Sequence, residues 1–327
     1  MRTRHFSSSN PVSSRIPLTT PRGSIEHRPV LLHEVVSALN IQPDDVVVDA
    51  TIGGGGHAIE LVKGLGGNGL FVGFDLDADA IKRAQRQLST YKGNTHLIEA
   101  NFRNLGRELK KRGVTKITKA LFDLGWSSQQ LNSGRGFSFT RDEPLVMTYA
   151  KYGSQTAVSA ATIVNEWKEE SIADVIFGFG EERFSRRIAK AIVMRRAKKP
   201  FATSRELAET IAVTAPRRGK IHPATKTFQA LRIAVNDELG ALEEGLAAAW
   251  KLLAVSGRIA VITFHSVEDR IVKQKFFAWQ RSGEGRLLFK KPSTATREEL
   301  RTDKSARSAK LRVLERISYE GTYPQNK

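Results

Sequence analysis

The residues with the clearest chemical meaning are four consecutive glycines, Gly53 to Gly56, directly after the apolar run Val46-Val47-Val48-Asp49. Helical spacing resumes at Ala58-Ile59-Glu60-Leu61-Val62, so the stretch predicts a strand, a glycine turn and a helix. Glycine lacks a Cβ, which lets a ligand approach the main chain closely, and the free N–H groups of the following helix point to the same place. The stretch therefore predicts a nucleotide-type binding site in an α/β sheet.

The spacing alone leaves the ligand open. Gly53-x-Gly55-x-x-Ala58 fits the dinucleotide fingerprint, whereas Asp49-x-x-x-Gly53-x-Gly55 fits proteins that bind S-adenosylmethionine (SAM). A flexible connection without any ligand is the third interpretation. It is disfavoured because four glycines cost folding entropy and an ordinary connection needs one at most.

Acids at the ends of later strands indicate which ligand and which reaction the site serves. Asp75 ends an apolar strand about 20 residues beyond the glycines, where an acid can accept hydrogen bonds from both ribose hydroxyls. Asp123 ends the fourth strand and precedes a polar loop that contains Trp126 and Ser127. In SAM enzymes that methylate exocyclic amines, this position receives the amine, and an aromatic side chain stacks on the base. Such an amine is a poor nucleophile, so its hydrogen bonds must be accepted and its lone pair aligned.

Two further polar clusters follow, at 222–238 and at 264–270. For His222 and His265, a structural hydrogen bond is as good an interpretation as catalysis. The charged and amide groups could equally form ion pairs or helix caps. The substrate-binding candidates in these clusters are His222, Arg232, Asn236, Ser266, Asp269 and Arg270.

The periodicity predicts how these residues are positioned. Strands at 46–49, 70–75, 95–102 and 119–124 alternate with helices, then 129–223 shows helical spacing without strands, and the α/β pattern returns with a strand at 257–265. Residues 227–250 form one long helix or a close pair. We therefore expect a disordered basic arm (1–24), a Rossmann-like α/β domain in two parts (25–128 and 224–327, the second with a basic C-terminal segment) and an all-helical inserted domain (129–223).

The composition of the chain indicates which classes of partner and which kinds of site to expect. The net charge of +18 over 327 residues implies a polyanionic partner, with nucleic acid ahead of an anionic membrane surface. A dense basic set between Arg183 and Lys199 is the predicted phosphate-contacting surface. The absence of cysteine excludes disulfides and thiol chemistry, the seven scattered histidines predict no metal site, and no apolar run approaches a membrane span.

Taken together, the motifs resemble the RsmH (MraW) family of small-subunit ribosomal RNA cytosine N4-methyltransferases. They run in family order from about residue 27 to residue 317: Pro29–Val35, Gly54–His57, Asp123–Ser128, Arg135–Phe139, Gly180–Phe184, His222–Glu238, Phe264–Lys273 and Arg307–Arg312. The resemblance implies a Rossmann-like SAM-dependent methyltransferase domain interrupted by a helical substrate-recognition domain. It implies SAM contacts at Gly55, Gly56, His57, Asp75, Phe102, Asp123 and Gln130, with Asp123 and His265 as the catalytic candidates.

The implied reaction is direct methyl transfer to a cytidine in the decoding centre (P-site region) of the small subunit. The substrate is rRNA or the assembled subunit, and a homodimer is compatible with the resemblance. We expect a cytoplasmic protein, or a mitochondrial or plastid one if the arm, which is rich in Ser and Arg and free of acids, is a transit peptide.

The chain also departs from the family pattern. Where the family has Leu-Asp-Met-Arg, this chain has Leu145-Val146-Met147-Thr148, while Trp126 replaces a small residue and Gln129 a proline. Loss of an acid and a base together leaves neither unpaired. The loss nevertheless motivates a second hypothesis, a catalytically impaired SAM- and RNA-binding relative. A third, an NAD-dependent oxidoreductase, is disfavoured because no Tyr-x-x-x-Lys pair is evident.

Overall fold

The computed structural model describes residues 29–125, 131–149, 158–217 and 221–318. The predicted arm at 1–24 lies outside these residues. The described strands are β1 Val46–Asp49, β2 Leu70–Asp75, β3 Asn94–Glu99, β4 Ile117–Asp123, β5 Leu253–Thr263, β6 Gly285–Leu287, β7 Ser293–Thr294 and β8 Lys310–Arg316. The described helices are α1 Leu32–Leu39, α2 Gly56–Val62, α3 Ala78–Gln87, α4 Leu105–Lys111, α5 Ala160–Glu166, α6 Glu169–Gly180, α7 Ser185–Arg196, α8 Ser204–Thr214, α9 Thr225–Asn236, α10 Glu238–Leu252, α11 Ser266–Arg281 and α12 Arg297–Thr302.

The described strands form one mixed sheet in the order β3-β2-β1-β4-β5-β8-β6, with β7 paired to β8. Strands β1 to β5 are parallel, and β8 is antiparallel to β5. Because helices cover both faces, β1, β2 and β4 are mainly apolar and buried, whereas the edge strand β3 is largely polar. In β4, for example, Ala120 and Phe122 face one apolar core while Leu121 faces the other. The predicted α/β class is confirmed.

The helices divide between the two faces of the sheet. The first core is completed by side chains of α4, α10 and α11, including Leu109, Leu246 and Phe276. The second is completed by α1, α2 and α3, including Val35 and Leu61. This arrangement holds the carboxyl ends of β1, β2 and β4 at one edge, where the glycine turn and the strand-end acids lie.

Between β4 and β5 the described chain forms helices α5 to α9 around a third apolar core. Helix α9 belongs to this core through Phe228 and Leu231, and Gly180 of α6 allows its close approach, because a Cβ there would lie 2.5 Å from the carbonyl oxygen of Lys226. The boundary predicted at 223 falls before this helix, so the packed helical unit extends to the end of α9. The helical stretch predicted at 227–250 is a close pair, broken at Asp237, whose φ of 46° is left-handed.

No helix in these described ranges combines the length and the apolar character needed to cross a bilayer.

Candidate active site

A cleft of about 1160 Å³ lies at the carboxyl edge of the sheet, where the strand order reverses. From β1 the chain adds β2 and β3 on one side and then returns to place β4 on the other, so the connections leave in opposite directions. Open α/β sheets bind ligands in the crevice that this reversal creates. The sequence-predicted groups that line the cleft are Gly56, His57, Asp75, Phe102 and Asp123.

The glycine turn is shaped by left-handed backbone and close packing. Gly53 has φ +52° and Gly55 has φ +88°, and a Cβ on Gly56 would lie 2.8 Å from Pro29 Cγ. Gly53 and Gly56 line the cleft together with Gly54, whereas Gly55 packs on α3, where a Cβ would meet the Ala84 Cα at 3.3 Å. The glycines therefore keep side-chain atoms out of the cleft and allow the turn to pack closely against its neighbours.

The Asp75 carboxylate organises this turn. One oxygen accepts a hydrogen bond from Gly53 N at 3.0 Å, and the other accepts from Asp77 N at 2.8 Å. Burial raises the pKa of Asp75, and the two backbone donors oppose that rise. A carboxylate has about four lone-pair sites, so Asp75 can also accept ribose hydroxyls from the cleft.

Asp123 lines the cleft and keeps one carboxylate oxygen without a partner among the described residues. Its backbone N–H donates to Thr51 Oγ1 at 2.6 Å, and its Oδ2 lies 3.4 Å from His57 Nδ1. Its Oδ1 is buried and accepts no hydrogen bond from the described residues. Buried polar atoms are almost always paired, so this oxygen has room for an N–H or O–H donor that the described residues do not supply.

A second buried acid lies behind the same histidine. Burial raises the pKa of Asp49 to about 7, opposed by the charge of His57 and by the hydrogen bond from Thr51 N. Burial by itself lowers the pKa of His57, but the hydrogen bond and charge of Asp123 outweigh it, and the pKa of His57 is raised. His57 and Asp123 thus line the cleft, and the buried Asp49 acts on both of them electrostatically.

A smaller pocket of about 80 Å³ opens beside the cleft and is mainly apolar. Phe102 walls it, held edge-on against Phe122 at 5.6 Å between ring centroids, and Gly245 leaves room for the ring, since a Cβ there would lie 2.6 Å from Phe102 Cδ2. A flat, largely apolar heterocycle suits this pocket. The other apolar groups on its wall are Leu76, Leu124, Ala241 and Leu242.

Two predicted substrate residues hold other parts of the site in place, Arg232 from outside both pockets and Asn236 from the wall of the smaller one. The buried guanidinium of Arg232 donates to both Glu238 oxygens at 2.8 Å. Asn236 accepts from Tyr149 N and donates to Met147 O, each at 2.8 Å, which fixes the 147–149 segment of the helical unit. Tyr149 lines both pockets, and its hydroxyl donates to Glu238 at 3.1 Å. Sequence reasoning missed Tyr149 because nothing local links it to the sheet.

The remaining predicted residues that are described make structural contacts. His222 stacks on Phe139 at 4.7 Å and accepts from Ala224 N, and His265 caps α11 by accepting from Glu268 N. Asp269 pairs with two cations of β8, Lys310 and Arg312. Ser266 and Arg270 both bind Glu181, at the C-terminus of α6. Trp126, Ser127 and Gln130 lie outside the described residues.

Three possible metal ligands also meet near the site. Single donor atoms of Glu238, His265 and Glu268 lie within 4.8 Å of one another. Arg232 already occupies both Glu238 oxygens, and His265 Nε2 lies 3.0 Å from Glu268 Oε1 in an ion contact without hydrogen-bond alignment. Burial works to raise the pKa of Glu268, but His265 and Arg232 hold it below its ordinary value. The guanidinium supplies the positive charge that a cation would bring, so the cluster is a buried ion network.

Comparison with known proteins shows the family to which the chain belongs. A profile of the MraW methylase family matches residues 24–317. The chain is 43% identical over 322 residues to "Ribosomal RNA small subunit methyltransferase H" of Oceanobacillus iheyensis, covering 92% of this chain and 98% of that protein. It is 46% identical over 292 residues to the protein of the same name in Dictyoglomus thermophilum, covering 89% and 96%. The family match spans both parts of the sheet and the helical unit between them, and this chain is a member of the MraW methylase family of SAM-dependent methyltransferases.

Proposed function

We propose that this protein uses SAM to methylate N4 of a cytidine in the decoding centre, the P-site region, of small-subunit rRNA. The observation that carries the proposal is Asp123 at the switch point of the sheet, whose Oδ1 has no hydrogen-bond partner among the residues that the structure describes. This oxygen can accept a hydrogen bond from the exocyclic amine and so align its lone pair for attack. The relatives named above are rRNA methyltransferases, which supports the substrate class.

The residues of the cleft fit SAM. The glycine turn leaves an open cradle at Gly53, Gly54 and Gly56, Asp75 can accept the ribose hydroxyls, and the apolar pocket walled by Phe102 suits adenine. When bound, SAM supplies an electrophilic methyl group on its sulfonium. Asp123 orients the amine, and its carboxylate can take up the proton that the amine loses as the new N–C bond forms and the bond between the methyl group and sulfur breaks, which would leave S-adenosylhomocysteine as a neutral thioether. The sequence has no cysteine, so a covalent thiolate route to carbon 5 of cytosine is excluded.

The cations of α7 support an RNA substrate. Arg186, Arg187 and Lys190 are exposed and form no ion pair with a described acid, whereas Arg195 and Lys199 pair with Glu206. Cations without acid partners are the ones that can neutralise phosphates. The basic set predicted from the sequence therefore separates into an unpaired exposed stripe and a paired part that stabilises the α7–α8 region.

Removing the stripe is expected to weaken RNA binding in a salt-dependent way. The triple variant R186A/R187A/K190A should reduce the slope of log K against log salt by about 0.7 to 0.9 for each phosphate that the protein no longer neutralises. Binding to undermethylated small subunits at several salt concentrations measures it. The matched control is K63A/K82A/K111A, which removes three cations already paired with acids. Equal slopes for the two variants would contradict the assignment of this surface.

Asp75→Ala is expected to weaken SAM binding by about 1–3 kcal/mol, the usual cost of leaving hydrogen-bonding partners unpaired. The variant removes the acceptor of Gly53 N and the proposed acceptor of the ribose hydroxyls together. Calorimetric titration with SAM measures the effect. An unchanged dissociation constant would remove Asp75 from the cofactor site.

The alternatives predict different outcomes. Family membership as a methylase argues against the oxidoreductase. The impaired-relative hypothesis rests on Val146 and Thr148, yet the glycine turn, Asp75 and Asp123 are all in place. Incubation with labelled SAM and undermethylated small subunits, followed by nucleoside analysis, should give N4-methylcytidine. Measurable SAM binding without label in rRNA would favour the impaired relative, and label on another nucleoside would overturn the N4 assignment.

The cytoplasmic location, the organelle alternative and the homodimer remain predictions. Mass spectrometry of the mature N-terminus separates the first two, because removal of the arm would indicate import.

A further inference from the structure

The ring of His57 lies between two hydrogen-bond acceptors, the carbonyl of Val30 and the carboxylate of Asp123. It is 5% exposed, at the first turn of α2, directly after the glycine turn. Its Nε2 is 3.0 Å from the carbonyl oxygen of Val30, and its Nδ1 is 3.4 Å from Asp123 Oδ2. A carbonyl oxygen can only accept, so Nε2 must carry a hydrogen.

The peptide unit that binds Nε2 is itself fixed. The N–H of Leu31, which belongs to the same peptide group as the Val30 carbonyl, donates to Glu299 Oε1 at 2.7 Å. Leu31 has a left-handed φ of 54°, so this segment is held in an uncommon conformation. The ring of His57 therefore has one anchored acceptor on its Nε2 side and cannot turn away without losing it.

The charge of the ring follows from the second acceptor. Asp123 Oδ2 lies 3.4 Å from Nδ1, an ion-pair distance, and this contact favours a hydrogen on Nδ1 as well as on Nε2, which makes the ring an imidazolium. The charged groups that face it are Asp123 on β4 and Asp49 on β1, and Asp75 on β2 acts on Asp49 from the far side. These acids favour the charged ring against its burial.

We propose that His57 is a positioning residue for methyl transfer: as an imidazolium it holds Asp123 Oδ2 and so fixes the orientation of the carboxylate that receives the substrate amine. This inference rests on the proposed function through the role of Asp123. It assigns His57 a task besides lining the cofactor cleft. The ionised carboxylate of Asp123, which the imidazolium holds, is the form that accepts the amine hydrogen bond.

Spectroscopy tests the charge of His57 independently of any activity. With ¹⁵N-labelled histidine, one of the seven imidazoles, identified by its loss in His57→Asn, should show two protonated nitrogens at pH values above 6.5. In Asp123→Asn the pKa of the same ring should fall, so the ring becomes neutral at a lower pH. Burial lowers this pKa, and the variant lacks the carboxylate charge that opposes it. A neutral ring at pH 7 in the unmodified protein would overturn the proposal even if the enzyme methylates cytidine as proposed.

Kinetics test the positioning role. In the unmodified enzyme kcat should fall as pH rises through the His57 pKa, because the ring then loses the Nδ1 hydrogen that holds Asp123. His57→Ala should lower kcat about 100-fold and remove this alkaline limb, while KM for the RNA stays within about twofold. His57→Asn keeps an N–H donor and should recover part of kcat without restoring the limb.

Asp49→Asn is the matched control, since it removes the neighbouring charge and should shift the alkaline limb to lower pH without abolishing it. An alkaline limb that persists unchanged in His57→Asn would contradict the proposal. A uniform loss of activity at every pH in His57→Ala, with no rescue by Asn, would indicate a structural role alone.

Discussion

Asp123→Asn is expected to lower kcat for rRNA methylation by about 10²- to 10⁴-fold at saturating SAM. The amide of the new side chain carries no negative charge, so it is a weaker hydrogen-bond acceptor than the carboxylate and cannot take up the proton that the amine loses. In this variant the neutral ring of His57 keeps its Nε2 hydrogen on the Val30 carbonyl, so Nδ1 accepts a hydrogen bond from the new amide instead of donating one. The substrate amine therefore loses its charged acceptor and its proton acceptor together, and its lone pair is less well aligned.

Single-turnover methylation of undermethylated small subunits, combined with SAM titration, measures this effect. Asp44→Asn, at an exposed acid in the turn before β1, is the matched control and should leave both quantities unchanged. If Asp123→Asn changes only the dissociation constant of SAM and leaves kcat intact, Asp123 belongs to the cofactor site alone. An unchanged kcat and SAM affinity would remove it from both sites.

Arg232→Met is expected to lower the free energy of unfolding by about 3–5 kcal/mol, because it leaves an uncompensated charge in a buried network. The Arg232 guanidinium is 6% exposed, donates to both Glu238 oxygens and lies near Glu268. Removing the guanidinium leaves these carboxylates without their main cation. Urea unfolding followed by circular dichroism measures the change.

Arg270→Met provides the comparison, since its ion pair with Glu181 is exposed. Such a pair contributes about 0–1 kcal/mol, so a small change is expected there. The double variant R232M/E238Q should recover part of the lost stability, since the Glu238 charge goes with its partner. If Arg232→Met lowers the free energy of unfolding by less than about 1 kcal/mol, the network is hydrated and does not stabilise the fold as a buried ion pair does.

Local spacing in the sequence was enough to predict the elements that form the cleft. An apolar run, an acid and four glycines follow one another in a few residues, so β1, its turn and α2 could be predicted without knowledge of packing. The acids Asp75 and Asp123 end strands, and parallel strands bring their carboxyl ends to one edge. The family motifs then indicated the cofactor.

The sequence did not show which polar groups act in the cleft and which connect the sheet to the helical unit of α5 to α9. Ser266, Asp269 and Arg270 follow a strand end as active residues often do, yet their partners are 85, 43 and 89 residues away, in Glu181, Arg312 and Glu181 again. The same holds for Arg232 and Asn236, which fix Glu238 and the 147–149 segment. An ion pair requires two side chains that only the packed chain brings within reach.

The glycine turn, the strand-end acids and the family could all be predicted from the chain alone, because each depends on residues that are close together in sequence. Which of those groups keep free hydrogen-bonding capacity depends instead on packing. Asp75 uses two acceptor positions on backbone N–H groups. Asp123 has His57, held by the Val30 carbonyl, beside one oxygen and no partner from the described residues on the other. A side chain's remaining donors and acceptors are set by its neighbours in space, and most of these neighbours are distant in sequence.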